Sequence, residues 1–106
     1  MLRLTIVSGP DIGRTFDLHP GKSLVVGRGM KSDTRINDSS VSRIHFEITP
    51  EIDSATVTDL GSSSGTFVEN DKVQSHSIRI GETVRAGDSR LQLIRCDDAE
   101  QTIAAQ

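Results

Sequence analysis

The feature that most constrains this chain is an alternation of apolar and polar residues with a period of two, repeated along most of its length. Successive side chains of a β-strand point to opposite faces of a sheet, so this pattern is typical of half-buried strands. The i, i+3, i+4, i+7 apolar stripe of an amphipathic helix does not occur. The predicted strands carry the apolar sets Leu2/Leu4/Ile6, Phe16/Leu18, Leu24/Val26, Ile44/Phe46/Ile48, Ala55/Val57, Ile78/Ile80, Val84/Ala86 and Leu91/Leu93.

Turn-forming residues separate these short runs. Gly, Pro, Asp, Asn and Ser cluster at positions 8–13, 19–21, 37–40, 81–82 and 87–88. Short strands joined by tight turns predict an all-β fold, a twisted antiparallel β-sandwich or a barrel. Two polar segments, 28–42 and 60–65, do not have the form of minimal hairpin turns. Long loops on a rigid β scaffold are where binding groups tend to lie, so we expect the function there.

The composition supports one domain with a lean core. The chain has 106 residues, of which 34% are hydrophobic and 3% aromatic. We expect a domain at 1–96 and an acidic tail, or the start of a linker, at 97–106. No apolar run approaches the roughly 20 residues that span a membrane. A single cysteine, Cys96, excludes an internal disulfide and fits a reducing compartment, so we predict a cytoplasmic location.

The charge distribution indicates the kind of ligand. A net charge of −3 argues against a general nucleic-acid binder, which must neutralise many phosphates at once. Between Arg28 and Arg43, however, four cations stand against two anions. A small positive island on an acidic body suits one anionic group better than a polyanion.

Two residues of this island have the chemistry to hold an anion. Gly27 would let the chain turn tightly at the end of a strand, so that Arg28 emerges at the rim of the sandwich. Its planar guanidinium can donate to two phosphate oxygens at once. Ser42 could add its hydroxyl.

The sequence contains little evidence for a catalytic site or a metal site. His45 follows Ser42 by three residues, and in a strand the two would lie on opposite faces, so we expect His45 to tie neighbouring loops together rather than act as a base. Residues 61–65 match the letters of the Gly-x-Ser-x-Gly nucleophile elbow, but a strand follows where that motif needs a helix. The histidines and the cysteine show no metal-ligand spacing. We predict no catalytic residue, no metal and no cofactor.

Three motifs follow one another in a defined order: Gly27-Arg28, then Ser42-x-x-His45, then Asp-Leu-Gly-Ser-Ser-Ser-Gly-Thr-Phe-Val at 59–68. In this order and spacing they closely resemble the forkhead-associated (FHA) domain. Residues 80–93 resemble the closing strands of that family. The likeness covers roughly residues 2–95.

The resemblance implies an FHA-like (SMAD-like) β-sandwich of about eleven short strands, whose loops at one end bind phosphothreonine peptides in signal transduction. It implies phosphate contacts from Arg28 and Ser42, with Arg43 beside them. Ser63 and Ser64 would contact the phosphate or the peptide. Supporting roles fall to the other motif residues, Gly27, His45, Gly65 and Thr66.

Ser64 departs from the family pattern, which usually has an asparagine that contacts the peptide backbone. The shorter serine leaves one alternative open, an FHA-fold scaffold that docks partners without phosphate. A separate alternative is a hydrolase built on Ser63. The first expectation is a monomeric, non-catalytic module. Its partner would be a protein phosphorylated on threonine by a Ser/Thr kinase, and neither nucleic acid nor membrane would be bound.

Overall fold

The computed structural model of the chain describes residues 1–96, which form ten strands. This number is close to the eleven or so that we expected. The strands are β1 (Leu2–Ser8), β2 (Thr15–Leu18), β3 (Leu24–Val26), β4 (Phe46–Pro50), β5 (Ser54–Asp59), β6 (Thr66–Val68), β7 (Asp71–Val73), β8 (Ser75–Arg79), β9 (Thr83–Ala86) and β10 (Ser89–Arg95).

The strands form two sheets. One has six strands in the order β2-β1-β10-β9-β6-β7, and the other has four in the order β3-β4-β5-β8. Neighbouring strands are antiparallel in both sheets. The predicted antiparallel sandwich is therefore confirmed.

The core lies between the sheets and follows the alternation in the sequence. In β1, Leu2, Leu4 and Ile6 are buried, whereas Arg3 and Thr5 between them are half-buried on the other face. The register places β1 directly beside β10, so its apolar residues lie in one layer with those of β10. The strands also contribute Leu18, Val26, Phe46, Ile48, Ala55, Val57, Val68, Ile78, Val84, Ala86, Leu91 and Leu93 to this core.

Two details of the predicted strands are wrong. Ile80 was expected to be inward-facing, but it is 38% exposed, because β8 ends at Arg79 and Gly81 turns the chain with a φ of +95°. Ser42 was expected to open a strand, but β4 begins at Phe46.

The segment between β3 and β4, residues 27–45, is irregular and yet packed onto the body of the domain. Ile36 and Val41 are both 1% exposed and belong to the core cluster. A loop that inserts two apolar side chains into the core is anchored rather than free, so it can hold binding groups in place. No helix within residues 1–96 is long and apolar enough to cross a membrane. The predicted tail at 97–106 lies outside the described residues.

Candidate functional site

Three loops meet at one end of the sandwich: residues 27–45, residues 60–65 and the turn between β9 and β10. The amide of Leu60 donates to the carbonyl of His45 at 2.9 Å. The amide of Asp88, in the β9–β10 turn, donates to Oδ2 of Asp38 at 2.9 Å. Segments far apart in the sequence therefore share one surface, and this surface carries the predicted site residues.

Arg28 is exposed at this end and is held along one edge of its side chain. Its Nε donates to the carbonyl of Val41 at 2.6 Å, and its backbone amide donates to the carbonyl of Ser42 at 3.1 Å. Within residues 1–96 no carboxylate pairs with its guanidinium. The anchored Nε fixes the plane of the group, and the terminal nitrogens remain available to an anion.

Ser42 and Ser63, 21 residues apart, are brought together. The Ser42 Oγ accepts a hydrogen bond from the backbone amide of Ser63 at 3.0 Å, and the two hydroxyl oxygens lie 3.2 Å apart. One of the two hydroxyl groups donates its proton to the other in this hydrogen bond. The other proton stays available, so the pair can donate to an oxygen in front of it without breaking its own contact.

Ser64 braces the same end of the sandwich. Its hydroxyl donates to the carbonyl of Ser40 at 3.1 Å, which joins loop 60–65 to loop 27–45. The side chain is exposed, and its oxygen keeps an acceptor position open. The structure thus shows a loop contact for Ser64, next to the Ser42–Ser63 pair.

His45 is fully buried beneath these loops. Its Nδ1 accepts a hydrogen bond from the backbone amide of Ser42 at 3.0 Å, so its Nε2 carries the proton and donates to the carbonyl of Gly65 at 2.8 Å. The expectation that His45 lies on the face of a strand opposite Ser42 is wrong, since residues 42–45 form no strand and the ring lies against the Ser42 amide. Both ring nitrogens are occupied, which leaves no base for the Ser42 hydroxyl.

Position 27 requires glycine because a side chain there would clash with a neighbouring segment, and not because the chain makes a tight turn. Its φ lies outside the left-handed region, but a Cβ built there would lie 2.1 Å from the carbonyl oxygen of Arg43. The expected reason, a tight turn, is therefore wrong. Its amide donates to Thr34 Oγ1 at 3.0 Å. Close approach of two backbones sets the separation of the segments that carry Arg28 and Ser42.

Asp59 organises loop 60–65, and the sequence analysis did not single it out as a site residue. One carboxylate oxygen accepts from the hydroxyls of Ser62 and Thr66, and the other accepts from the amides of Gly61 and Ser62. Thr66 is fully buried, so its hydroxyl serves this bond. The signal available in the sequence is an aspartate at a strand end followed by Leu-Gly-Ser, which is typical of a side chain that caps its own turn.

Burial by itself raises the pKa of Asp59, but the hydrogen bonds from Ser62, Thr66 and the two amides outweigh it, and the pKa lies below its usual value. A lowered pKa in the folded state means that the ionised carboxylate stabilises the fold above the pKa of the unfolded chain, about 3.9. This contribution is lost as the pH falls through the folded-state pKa.

We therefore expect Asp59→Ala to reduce the free energy of unfolding by about 1–3 kcal/mol at pH 7, because its donors, among them the hydroxyl of the buried Thr66, lose their acceptor. The deficit should shrink as the pH approaches 3. Urea unfolding of both proteins at several pH values measures this. A deficit that stays constant between pH 7 and pH 3 contradicts the role given to the Asp59 charge.

Asp38 anchors the longer loop from inside. It is 2% exposed, and its carboxylate accepts hydrogen bonds from the amides of Ser40 and Asp88 and from the hydroxyl of Ser89. A buried carboxylate with three donors is satisfied and resists displacement. It ties Ser40, and through it Ser64, to the β9–β10 turn.

The turn between β1 and β2 supports the same loop from the side. Arg14 donates to the carbonyls of Thr34 and Arg35 at 2.7 and 3.2 Å, and its partner Asp11 accepts from the amide and side chain of Asn37. Arg35 has a φ of +48°, unusual for a residue with a Cβ. Hydrogen bonds therefore join residues 34–37 to the β1–β2 turn, a contact that the sequence did not predict.

The charges at this end favour an anion. The four cations of the 28–43 island make no ion pair within the described residues; they are Arg28, Lys31, Arg35 and Arg43. The two acidic residues of the island already accept backbone hydrogen bonds, Asp33 from the amide of Val25 and Asp38 as above. Among residues 1–96 no group of three His, Cys, Asp or Glu side chains is placed to hold a metal ion.

The model of the family described as "FHA domain" matches residues 24–87 of this chain. Among curated proteins, FhaA of Mycobacterium tuberculosis is 38% identical over 79 residues, which is 74% of this chain and 15% of FhaA. The oxoglutarate dehydrogenase inhibitor of Corynebacterium diphtheriae is 34% identical over 91 residues, 86% of this chain and 63% of that protein. The chain thus spans less than two thirds of either relative.

Solved structures give the same result for the fold. One comes from a structural and functional analysis of phosphothreonine-dependent FHA domain interactions; it is 33% identical, has a TM-score of 0.78, and the match covers 91% of this chain and 97% of that one. Another is the FHA domain of FhaA in complex with the intracellular domain of Rv3910. It is 34% identical with a TM-score of 0.77, and the match covers 88% of this chain and 99% of that one.

Proposed function

Since this chain belongs to the FHA domain family, we propose that it is a non-catalytic module that binds phosphothreonine-containing segments of partner proteins in signalling. The observation that carries the proposal is that Arg28 is hydrogen-bonded to the segment that carries the Ser42–Ser63 pair. The Arg28 guanidinium is anchored on Val41, one residue before Ser42, and the Ser42 hydroxyl is joined to Ser63. One guanidinium and one available hydroxyl proton thus lie on adjoining segments.

The chemistry of this arrangement matches a phosphate monoester. Near pH 7 such a phosphate carries a charge of about −1.5 to −2 and three strong acceptor oxygens. Charge-assisted hydrogen bonds contribute roughly 1.5–3 kcal/mol each. A few of them, less the cost of ordering a peptide, lead us to expect micromolar affinity, or about −8 kcal/mol.

The other predicted residues take roles that fit their contacts. Arg43 is exposed directly after Ser42 and adds positive charge beside the phosphate. In this proposal the Ser64 oxygen accepts a hydrogen bond from the peptide backbone while its hydroxyl continues to donate to the carbonyl of Ser40. The loops are held by the supporting residues Gly27, His45, Gly65 and Thr66.

The contacts of Ser63 argue for binding rather than hydrolysis. Its hydroxyl lies against Ser42, and the imidazole of His45 is committed to the Ser42 amide and the Gly65 carbonyl. A serine nucleophile needs a base within about 3 Å of its oxygen, and no histidine of residues 1–96 bonds to Ser63. The partners we propose are products of a Ser/Thr kinase, and a cytoplasmic location suits a chain whose single cysteine cannot form an internal disulfide.

A titration with three peptides of one sequence tests the proposal. The peptides carry phosphothreonine, phosphoserine or unmodified threonine at the same position, and affinity is measured by isothermal calorimetry. We expect micromolar binding of the first and at least tenfold weaker binding of the third, because the phosphate supplies most of the charge-assisted bonds. Equal affinity for phosphorylated and unmodified peptides would favour the alternative, a scaffold of the same fold that docks without phosphate.

A further inference from the structure

A cavity lies directly beside the proposed phosphate site. Its volume is about 320 Å³, and it is lined by Gly29, Met30, Lys31, Arg43 and Ile44. Met30 is 80% exposed, so its side chain is open to contact by a ligand that enters the cavity. The lining thus combines an apolar surface with two cationic side chains.

The cavity and the proposed phosphate site lie on the same two hydrogen-bonded segments. Gly29 follows Arg28, and Arg43 follows Ser42; both pairs are tied by backbone hydrogen bonds of 3.1 Å, from Arg28 to Ser42 and from Gly29 to Arg43. A Cβ on Gly29 would lie 2.9 Å from that of Arg43, so these backbones are in close contact. An extended peptide rises about 3.3 Å per residue. A peptide whose phosphate is held by Arg28 therefore reaches the cavity within about three residues.

The charges at the cavity rim are available to a ligand. Neither Lys31 nor Arg43 forms an ion pair with any residue from 1 to 96. Asp33, the carboxylate closest to Lys31 in sequence, accepts from the amide of Val25 instead. A cation at an apolar surface attracts a carboxylate more strongly than one in open water, because the surface lowers the local dielectric.

We propose that this cavity is a second specificity subsite, which takes an aliphatic side chain with an acidic neighbour from the same phosphothreonine peptide. The inference rests on the function proposed above and adds a sequence preference to it. Met30 packs on the aliphatic side chain, since its flexible thioether adapts to different shapes. Lys31 pairs with the adjacent carboxylate. A phosphopeptide flanked by small neutral residues gains neither contact.

Fluorescence anisotropy with a set of phosphothreonine peptides tests this subsite. One peptide has Gly and Ser around the phosphothreonine; the others carry a Leu-Glu pair moved through the three positions on either side. We expect at least one placement to bind about tenfold more tightly than the neutral peptide, because an apolar side chain and a charge are both accommodated. Met30→Ser and Lys31→Gln should each reduce this preference, and together they should bring it within about twofold of the neutral peptide.

The controls separate the subsite from the phosphate site. Arg79→Gln removes one positive charge at the far end of β8, as Lys31→Gln does at the cavity, and should leave the preference unchanged. If no Leu-Glu placement exceeds the neutral peptide, or if the double variant retains the full preference, the subsite is refuted while phosphothreonine binding stands. If no phosphopeptide binds at all, the proposed function fails and the subsite with it.

Discussion

Replacing Arg28 by alanine is expected to weaken binding of a phosphothreonine peptide by about 2–5 kcal/mol, or roughly 30-fold to several thousand-fold. The guanidinium is the charge that the backbone of Val41 holds in place beside Ser42. Its loss leaves the phosphate without its main partner. The fold should lose little, about 1 kcal/mol of unfolding free energy, because the side chain is exposed and gives up one hydrogen bond.

Two further variants make this result specific. Arg28→Lys keeps the charge but cannot place one nitrogen on Val41 and two on the phosphate, so we expect an affinity between those of wild type and Arg28→Ala. Arg79→Ala removes an exposed arginine at the other end of the sandwich and should bind as wild type does. Calorimetric titration of all four proteins decides the matter. If Arg28→Ala binds the peptide as tightly as wild type does, Arg28 does not bind the phosphate and the proposed site is wrong.

Gly27→Ala is expected to cost about 3 kcal/mol of unfolding free energy or more, which lowers the melting temperature by at least about 12 °C. The added methyl group would have to occupy space 2.1 Å from the carbonyl oxygen of Arg43. A backbone atom cannot move aside as a flexible side chain does, so residues 27–29 and 42–45 must separate. Since these segments carry Arg28 and Ser42, phosphopeptide affinity should fall as well.

Gly21→Ala provides the matched comparison. Gly21 has a φ of +79°, and a Cβ there would meet no atom within 4 Å. Its cost is conformational strain of about 1–2 kcal/mol, at the end of the sandwich away from the loops. Thermal unfolding and peptide titration of both variants measure this. Gly27→Ala should lose both stability and phosphopeptide affinity, whereas Gly21→Ala should lose stability alone. A Gly27→Ala protein as stable as wild type would contradict the contact.

The strands of the core could be predicted because burial in a sheet depends on alternation, which a sequence displays directly. Val84 and Ala86 illustrate this, since both are fully buried as expected. Ile36 and Val41 could not be predicted as core residues, because they lie in an irregular loop where no period relates position to burial. Ile80 was wrongly predicted to face the core, because the apolar alternation in the sequence continues beyond Arg79, where β8 ends.

The sequence allowed the side chains of the site to be named, but it did not allow the contacts between them to be predicted. Arg28, Ser42 and Ser63 could be named from a resemblance and their chemistry. The bond between Ser42 and Ser63 depends on two loops meeting, and local pattern contains no information about it. In the sequence alone, Asp38 and Asp59 are indistinguishable from ordinary turn residues. The partner of Asp38, for example, is Ser89, which lies 51 positions away in the chain.

The pairing of β1 with β10 has a practical consequence. Met1 and Cys96 are hydrogen-bonded to each other through their backbones, next to a groove lined by Pro50 and Ile52, at the pole opposite the phosphate loops. Met1 and Cys96 are therefore adjacent, at the end of the sandwich away from the proposed ligand. The domain can therefore be spliced into a surface turn of a host protein, or carry a fluorescent tag on either flank, while its recognition end stays uncovered.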